Sequence, residues 1–266
     1  MKTKVLTGLA ALTLFDIAVA TAADIPRAMP VKAPVVVVPS WTGFYIGGHA
    51  GYRWADANFS SPSYVADVGG GPMTFPARNE NYGLSGGIFG LQGGYNYQFN
   101  PSWLIGIEGD WSWGRGTDTQ SATLTGVALD GFTFRRTSEV ELTWEATIRG
   151  RLGYINGPWL LYGTGGVAFT RANWSDSSWF TAGGTTVSAT WNASNTLSGW
   201  VLGGGVEYMY NPKWLVRLEY LYEQFGDFNV PHGFGPQTGK LDIGAVQKLR
   251  AGISYKFGPD PVVAKY

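Results

Sequence analysis

The C-terminal part of the chain alternates strictly between apolar and polar positions. In residues 249–257, Leu, Ala, Ile, Tyr and Phe alternate with Arg, Gly, Ser and Lys. A period of two places the two sets on opposite faces of a β-strand. One such strand also suits a soluble antiparallel sheet, but the pattern recurs along the chain, with charges on the polar face and aromatic rings at the ends of the apolar face. That combination is typical of a transmembrane β-barrel, whose wall is apolar outside and polar inside.

The alternation predicts eight strands separated by gaps of two sizes. The predicted strands lie near residues 43–54, 86–99, 103–116, 139–154, 159–172, 197–210, 214–225 and 241–257. The short gaps carry Asn and Pro, which favour tight turns, and lie at residues 100–102, 155–158 and 211–213. The long gaps are rich in Gly, Ser, Thr, Asp and Pro and lie near residues 55–84, 117–138, 173–195 and 226–240. Because short periplasmic turns alternate with longer external loops in outer-membrane barrels, we predict an all-β, eight-stranded antiparallel transmembrane β-barrel with both termini in the periplasm.

The aromatic residues indicate which face of the predicted barrel meets lipid. A lipocalin-type soluble barrel also has eight strands, but it is apolar inside and polar outside. Its largest rings would lie in mid-strand, whereas here the rings on the apolar face lie near both strand ends, as interfacial girdles do. The predicted aromatic girdle comprises Phe99, Trp103, Trp113, Trp144, Tyr154, Trp159, Trp200, Tyr210, Trp214 and Phe257.

The first 23 residues have the pattern of a signal peptide. Lys2 and Lys4 precede an apolar stretch over residues 5–19, and small residues follow at 20–23. Residues 24–40 are rich in Pro and Val and are interpreted as a periplasmic linker. The barrel is then expected over 41–257, with a periplasmic tail at 258–266. The exported chain has no run of 18 apolar residues that would form a spanning helix.

The amino-acid composition of the chain limits the classes of function that it can have. Removal of residues 1–23 takes two of the 19 basic and one of the 19 acidic residues, which leaves a formal charge of −1 and no field that favours nucleic acid. The chain has no cysteine, so disulfides and thiolate metal sites are excluded. Charged residues make up 14% of the chain and aromatic residues 15%, with 39 glycines. This balance suits a small barrel in lipid better than a secreted β-sandwich, whose outer face needs more charge.

The two ends of the exported chain carry specific motifs. They are Trp-Thr-Gly-Phe-Tyr-Ile-Gly-Gly at 41–48, and Gly-Ile-Ser-Tyr-Lys-Phe-Gly at 252–258 followed by Pro-Val-Val-Ala-Lys-Tyr at 261–266. With them the chain resembles the outer-membrane immunogenic (surface antigen) proteins of alpha-proteobacteria, within the opacity-like, porin-type eight-stranded barrel superfamily. The resemblance implies residence in the outer membrane, surface exposure and antigenicity, with outer-membrane lipid, lipopolysaccharide and the barrel-assembly machinery as partners. Some members are described as porin-like or haem-binding, and the family has no active site to carry over.

The polar face of the predicted strands carries nearly balanced charges. An eight-stranded barrel has room only for its own side chains, and buried charges must be paired. An interior plug is therefore favoured, and a narrow polar pore lined by the same residues is the alternative. Glu108 and Arg149 lie at equal distance from the short turns on neighbouring strands, so we predict that they approach each other. The predicted lumen charge network comprises Arg53, Glu108, Asp110, Glu141, Glu145, Arg149, Arg151, Glu207, Arg217, Glu219, Lys248 and Arg250.

Other candidate chemistry is sparse. His49 is predicted to face the lumen, and His232, in an external loop, is a candidate ligand for haem or a metal. Two histidines without a Gly-x-Ser-x-Gly elbow do not predict a catalytic triad, so we expect no enzyme activity, no metal site and no cofactor. The gaps at 117–138 and 173–195 are predicted to be loops. They are expected to offer a partner surface through exposed Trp174, Trp179, Phe180 and Trp191.

The sequence therefore predicts a structural and surface-interaction protein of the outer membrane, which supports the barrier and contacts host or environmental ligands through its loops. A narrow porin for small solutes is the alternative, followed by a haem or ligand binder that uses the external loops.

Overall fold

The computed structural model of the protein describes residues 40–67, 72–126, 132–231 and 237–258. The predicted signal peptide (1–23), nearly all of the predicted linker (24–40) and of the predicted tail (258–266), and His232 lie outside these residues. The described strands are β1 (Gly43–Ser61), β2 (Tyr64–Asp67), β3 (Pro72–Phe75), β4 (Arg78–Asn100), β5 (Trp103–Gly126), β6 (Phe132–Asn156), β7 (Trp159–Ala182), β8 (Thr185–Asn211), β9 (Trp214–Gln224), β10 (Asp227–Pro231) and β11 (Thr238–Lys256). No helix in this part of the chain is long and apolar enough to cross a membrane.

Eight long strands close into an antiparallel barrel. Their order is β1–β4–β5–β6–β7–β8–β9–β11, and β11 pairs back onto β1. The short strands β2 and β3, which lie between β1 and β4 in the sequence, pair in a separate two-stranded antiparallel sheet. Near the chain ends, the backbone N–H of Phe257 donates to the carbonyl of Phe44 at 2.7 Å. Closure gives each strand a partner on both sides, as a β-structure in lipid requires. The predicted eight-stranded antiparallel barrel is confirmed.

The barrel carries an apolar band on its outer surface, beside the short turns. On β5 the exposed large apolar side chains run from Trp103 to Trp113, and on β7 from Trp159 to Phe169. A transmembrane β-strand needs about 9–11 residues, which matches the length of these runs. We call this part of the barrel the membrane band.

Beyond the membrane band the strands continue where the sequence predicted loops. β5 runs to Gly126 and β6 begins at Phe132, so most of 117–138 is strand. β7 and β8 meet at Gly183 and Gly184, whose positive φ angles of 56° and 79° make a tight turn that glycine adopts readily. The prediction of long loops was wrong because loop-like composition is overridden when Thr- and Ser-rich segments pair with neighbouring strands.

Above the membrane band the barrel wall separates into two facing sheets. The β4–β5 ladder begins at Ser85–Thr117 and the β8–β9 ladder at Trp200–Gln224. The outer halves of β5 to β8 therefore form one sheet, and those of β4, β1 and β11 with β10 form the other. We call this two-sheet part the extramembrane sandwich. Its apolar core comprises Ala55, Ala57, Phe59, Tyr82, Leu84, Val140, Leu142, Ala168, Ala172, Trp174, Leu197, Val201, Leu221, Phe225, Phe228, Val230, Leu241, Ile243 and Val246.

A β-bulge in β6 reverses the predicted orientation of neighbouring residues. Between Leu142 and Glu145, β6 contains one residue more than the facing segment of β7. The extra residue shifts the alternation of faces by one. Val140 and Leu142, which flank Glu141 and would face lipid if Glu141 faced the lumen, are buried in the sandwich core. Glu141, predicted to face the lumen, lies on the outside beside Arg115, so its assignment to the lumen network was wrong.

Trp174 was also predicted to be exposed, but only 1% of its surface is accessible. Its ring stacks on Phe59 with centroids 4.7 Å apart and meets the edge of Tyr82 at 5.9 Å. Because Phe59 and Tyr82 belong to one sheet and Trp174 to the other, this ring cluster joins the two sheets of the extramembrane sandwich.

We predict that Trp174→Ala destabilises the extramembrane sandwich by about 3–5 kcal/mol, the usual cost of truncating a buried tryptophan. Trp179→Ala is the matched control, since Trp179 is half-buried and its ring lies 5.9 Å from the guanidinium of Arg135, a contact worth about 0.5–1 kcal/mol. Amide hydrogen exchange along the outer halves of β6 and β7 measures the difference. Equal loss of protection in both variants would contradict the assigned core.

Candidate functional site

The middle of the barrel interior is filled by charged side chains. They come from β1, β5, β6, β8, β9 and β11, and each residue is at most 8% exposed. The buried charge network comprises six acidic residues, Glu108, Asp110, Glu145, Glu207, Glu219 and Glu223, and six basic residues, Arg53, Arg149, Arg151, Arg217, Lys248 and Arg250. The structure brings together all the predicted lumen charges except Glu141. Glu223 was not among the predicted residues, although its spacing from Glu219 places it on the same face of β9.

The buried charges form two groups, a lower one nearer the short turns and an upper one nearer the extramembrane sandwich. Arg149 lies at the centre of the lower group. Its Nη2 atom lies 2.5 Å from Oε1 of Glu108 and 3.0 Å from Oδ2 of Asp110. Its Nη1 atom lies 2.9 Å from Oε1 of Glu219. The predicted approach of Glu108 and Arg149 is confirmed, and they are direct partners in the β5–β6 ladder.

The other lower-group cations each bridge two anions. Arg217 lies 2.6 Å from Glu108 and 3.5 Å from Glu207. Arg151 lies 3.1 Å from Glu207 and 3.4 Å from Glu108. Arg250 holds Asp110 at 2.8 Å and Glu219 at 2.7 Å. Shared partners of this kind compensate the desolvation of each charge.

Tyrosine hydroxyls complete the lower group. Tyr45 donates to Glu108 at 2.6 Å, and Tyr162 donates to Glu219 at 3.0 Å. The guanidinium of Arg151 also lies 4.2 Å from the ring centroid of Tyr162. These contacts use further lone pairs of the carboxylates and pack one cation against an aromatic face.

The upper group is smaller and is balanced on its own. Glu145 lies 3.3 Å from Arg53 and 2.9 Å from Lys248, and Lys248 lies 2.5 Å from Glu223. Arg53 also donates to the carbonyl of Leu142 at 2.7 Å. Arg53 thereby links the charges to the bulged segment of β6 at the base of the sandwich.

Apolar layers bound the buried charge network on both sides. Toward the short turns lies a cluster of Trp41, Leu104, Ile155, Leu160, Tyr162, Met209 and Leu215. On the opposite side lies the core of the extramembrane sandwich. An ion that crossed the interior would have to leave water for two apolar layers, at a large desolvation cost. The arrangement agrees with the interior plug that the sequence favoured.

The predicted aromatic girdle residues lie on the outer surface of the membrane band. All are exposed except Trp144, which is half-buried because its ring stacks on Trp111 with centroids 4.6 Å apart. At the short-turn end, Trp103 contacts Tyr154 and Trp214 contacts Tyr255, at 5.4 and 5.3 Å between centroids. Trp113 and Trp200 lie at the opposite edge, so the rings form two bands.

A second charged cluster lies in the extramembrane sandwich, where the sequence predicted loops. Arg78 lies 3.0 Å from Glu80 and 3.3 Å from Asp176, and Arg136 pairs with the same two carboxylates. Burial alone would raise the pKa of Glu80, but hydrogen bonds from Arg78 and Arg136 lower it to about 2. Burial raises the pKa of Asp176 despite the same arginines. The cluster joins β4 to β6 and β7.

Histidine and metal chemistry remain sparse in the described part of the chain. His49 lies inside the barrel with Nε2 2.9 Å from the hydroxyl of Ser112 and 3.4 Å from Arg250. No group of three or more His, Cys, Asp or Glu among the described residues is placed to hold a metal ion. The prediction for His232 concerns a residue outside this part of the chain.

We predict that Arg149→Ala destabilises the barrel by about 3–5 kcal/mol, because it leaves Glu108, Asp110 and Glu219 short of a buried partner. Adding Glu108→Gln restores the charge balance and should recover part of the loss. Arg115→Ala is the control, since Arg115 is 84% exposed and such a surface pair contributes about 0–1 kcal/mol. Urea unfolding of the refolded protein in vesicles, followed by tryptophan fluorescence, measures these differences. Similar stability of Arg149→Ala and Arg115→Ala would contradict the network.

The chain is similar to known proteins over nearly its whole length. Residues 7–257 match the family described as outer membrane protein beta-barrel domain. The 31 kDa outer-membrane immunogenic protein of Brucella melitensis biotype 1 is 32% identical over 262 residues, which cover 97% of this chain and 100% of that protein. The 22 kDa outer membrane protein of Rhizobium leguminosarum bv. viciae is 30% identical over 80% of this chain and 81% of that protein.

Solved structures show more distant similarity. The crystal structure of Ail, the attachment invasion locus protein of Yersinia pestis, matches with a TM-score of 0.34 and 16% identity, over 81% of this chain and 99% of that chain. The family match and the full-length relatives confirm the predicted resemblance to alpha-proteobacterial outer-membrane immunogenic proteins. With its closed barrel and membrane band, the chain belongs to the outer-membrane β-barrel protein family and resides in the outer membrane.

Proposed function

We propose that the protein is a structural and surface-interaction component of the outer membrane, with a sealed barrel and an extramembrane sandwich that faces the outside of the cell. The observation that carries this proposal is the layered interior, in which two apolar clusters bound a balanced network of buried charges. A sealed wall supports the membrane barrier, and the sandwich supplies the surface for contacts. The Brucella relative is named an immunogenic protein, which agrees with surface exposure.

The proposal also assigns the remaining parts of the chain. We propose that residues 1–23 are a signal peptide removed on export and that residues 24–40 and 258–266 are periplasmic segments. Outer-membrane lipid, lipopolysaccharide and the barrel-assembly machinery are the partners in the membrane. We propose no enzyme activity, since the His49–Ser112 pair lies buried among the interior charges.

A narrow porin is the alternative, and bilayer conductance separates the two functions. We expect refolded, inserted wild-type protein to give no discrete conductance steps, because the apolar layers remain a barrier. The double variant Glu108→Ala/Glu145→Ala should also be silent, since it changes only the middle layer. Protease protection in vesicles verifies insertion of both proteins. Reproducible wild-type steps that change in the double variant would contradict the sealed barrel and favour the porin.

A further inference from the structure

A groove of about 390 Å³ lies on the outward face of the extramembrane sandwich, across β6, β7 and β8. It is close to the membrane band, because Glu141 is three residues from Trp144 and Asn173 is four residues from Phe169 on the same strands. The outward-facing residues of the groove are Glu139, Glu141, Asn173, Ser175, Asn192 and Ser194. These six side chains form two rows that run across the strands.

The row nearer the membrane band consists of Glu141, Asn173 and Ser194, which are direct partners in adjacent ladders. Its polar groups are engaged within the protein. Arg115 binds Glu141 at 3.1 Å, the Asn173 amide donates to Glu141 at 3.4 Å, and Arg171 donates to Ser194 at 2.8 Å. This row forms an ordered edge of the groove.

The second row consists of Glu139, Ser175 and Asn192, which are also direct ladder partners. Among the described residues, none of these three side chains has a hydrogen bond or ion pair. Since adjacent strands lie about 4.8 Å apart, a carboxylate, a hydroxyl and an amide stand in line over about 10 Å. The groove therefore offers acceptors and donors that no neighbouring side chain uses.

The second row, which we call the free row, has a chemistry that favours one class of ligand. Sugar hydroxyls both donate and accept, as a carboxylate, a hydroxyl and an amide together require. A phosphate or sulfate in this row would meet the carboxylate of Glu139, which has no cationic partner within the residues that the structure describes and repels it. An apolar ligand would leave the polar row without partners, which is costly once water is excluded.

We propose that this groove binds an uncharged, hydroxyl-rich segment of a saccharide that lies across β6, β7 and β8. The saccharide is either part of the lipopolysaccharide in the same membrane or a glycan from outside the cell, and both present the same hydroxyl chemistry. The inference rests on the proposed function in one respect, the placement of the sandwich outside the cell.

The test measures saccharide binding to the full-length exported protein in detergent micelles. The probes are lipopolysaccharide, the polysaccharide released from it, lipid A, and an array of neutral and acidic oligosaccharides. The variant Ser175→Ala/Asn192→Ala removes the hydroxyl and the amide of the free row. The matched control is Asn58→Ala/Ser60→Ala, which makes the same two changes at exposed positions of β1 in the other sheet.

We expect at least one neutral saccharide to bind wild-type protein and the control equally, and to bind the groove variant at least tenfold more weakly. Competition by the released polysaccharide identifies lipopolysaccharide as the source, and binding only on the array identifies an external glycan. Absence of saccharide binding, or equal loss in both variants, would overturn the proposal, as would binding of lipid A as tight as that of lipopolysaccharide. Because binding in micelles is independent of conductance and cellular location, this failure is distinguishable from failure of the proposed function.

Discussion

Six acidic and six basic side chains share the interior of one small barrel, and every one depends on partners from other strands. Arg149 alone contacts carboxylates from β5 and β9. In a medium of low dielectric, a single unpaired member would cost several kcal/mol, so the ladder registers have to be correct together. Glu108 faces Arg149 only because β5 and β6 pair in this register. The pairing of the buried charges and the closure of the barrel therefore both depend on the same strand registers.

The long strands of the barrel face lipid over one part of their length and water over the other. In the membrane band the outward side chains are apolar and the interior is charged, whereas in the extramembrane sandwich the outward side chains are polar and the interior is apolar. A bulge in β6 before Glu145 and a bulge in β11 before Val246 shift the alternation of inward and outward side chains at the level where this polarity changes. The sandwich core also lies over the upper end of the charged layer. The same inversion of the pattern therefore gives a water-exposed surface and, in the proposed function, a seal.

The membrane band could be predicted from the sequence, because lipid outside and charge inside impose alternation that is visible residue by residue. The Glu108–Arg149 pair followed from distances to the short turns. The orientation of Glu141 could not be predicted, since the sequence pattern does not reveal a bulge when apolar residues alternate with polar ones both before and after it. Trp174 was assigned to a loop because Ser- and Asn-rich segments have loop-like composition. These segments form a sheet with a buried face only because β6, β7 and β8 pair with one another there.

The proposed function requires that water has no continuous path to the middle of the barrel. Since the chain has no cysteine, a single Ser112→Cys variant reports on that layer and Thr185→Cys on the exposed start of β8. In inserted protein, we expect a small charged thiol reagent to modify Thr185→Cys rapidly and Ser112→Cys only after unfolding. Equally rapid modification of both variants in the folded barrel would contradict the account.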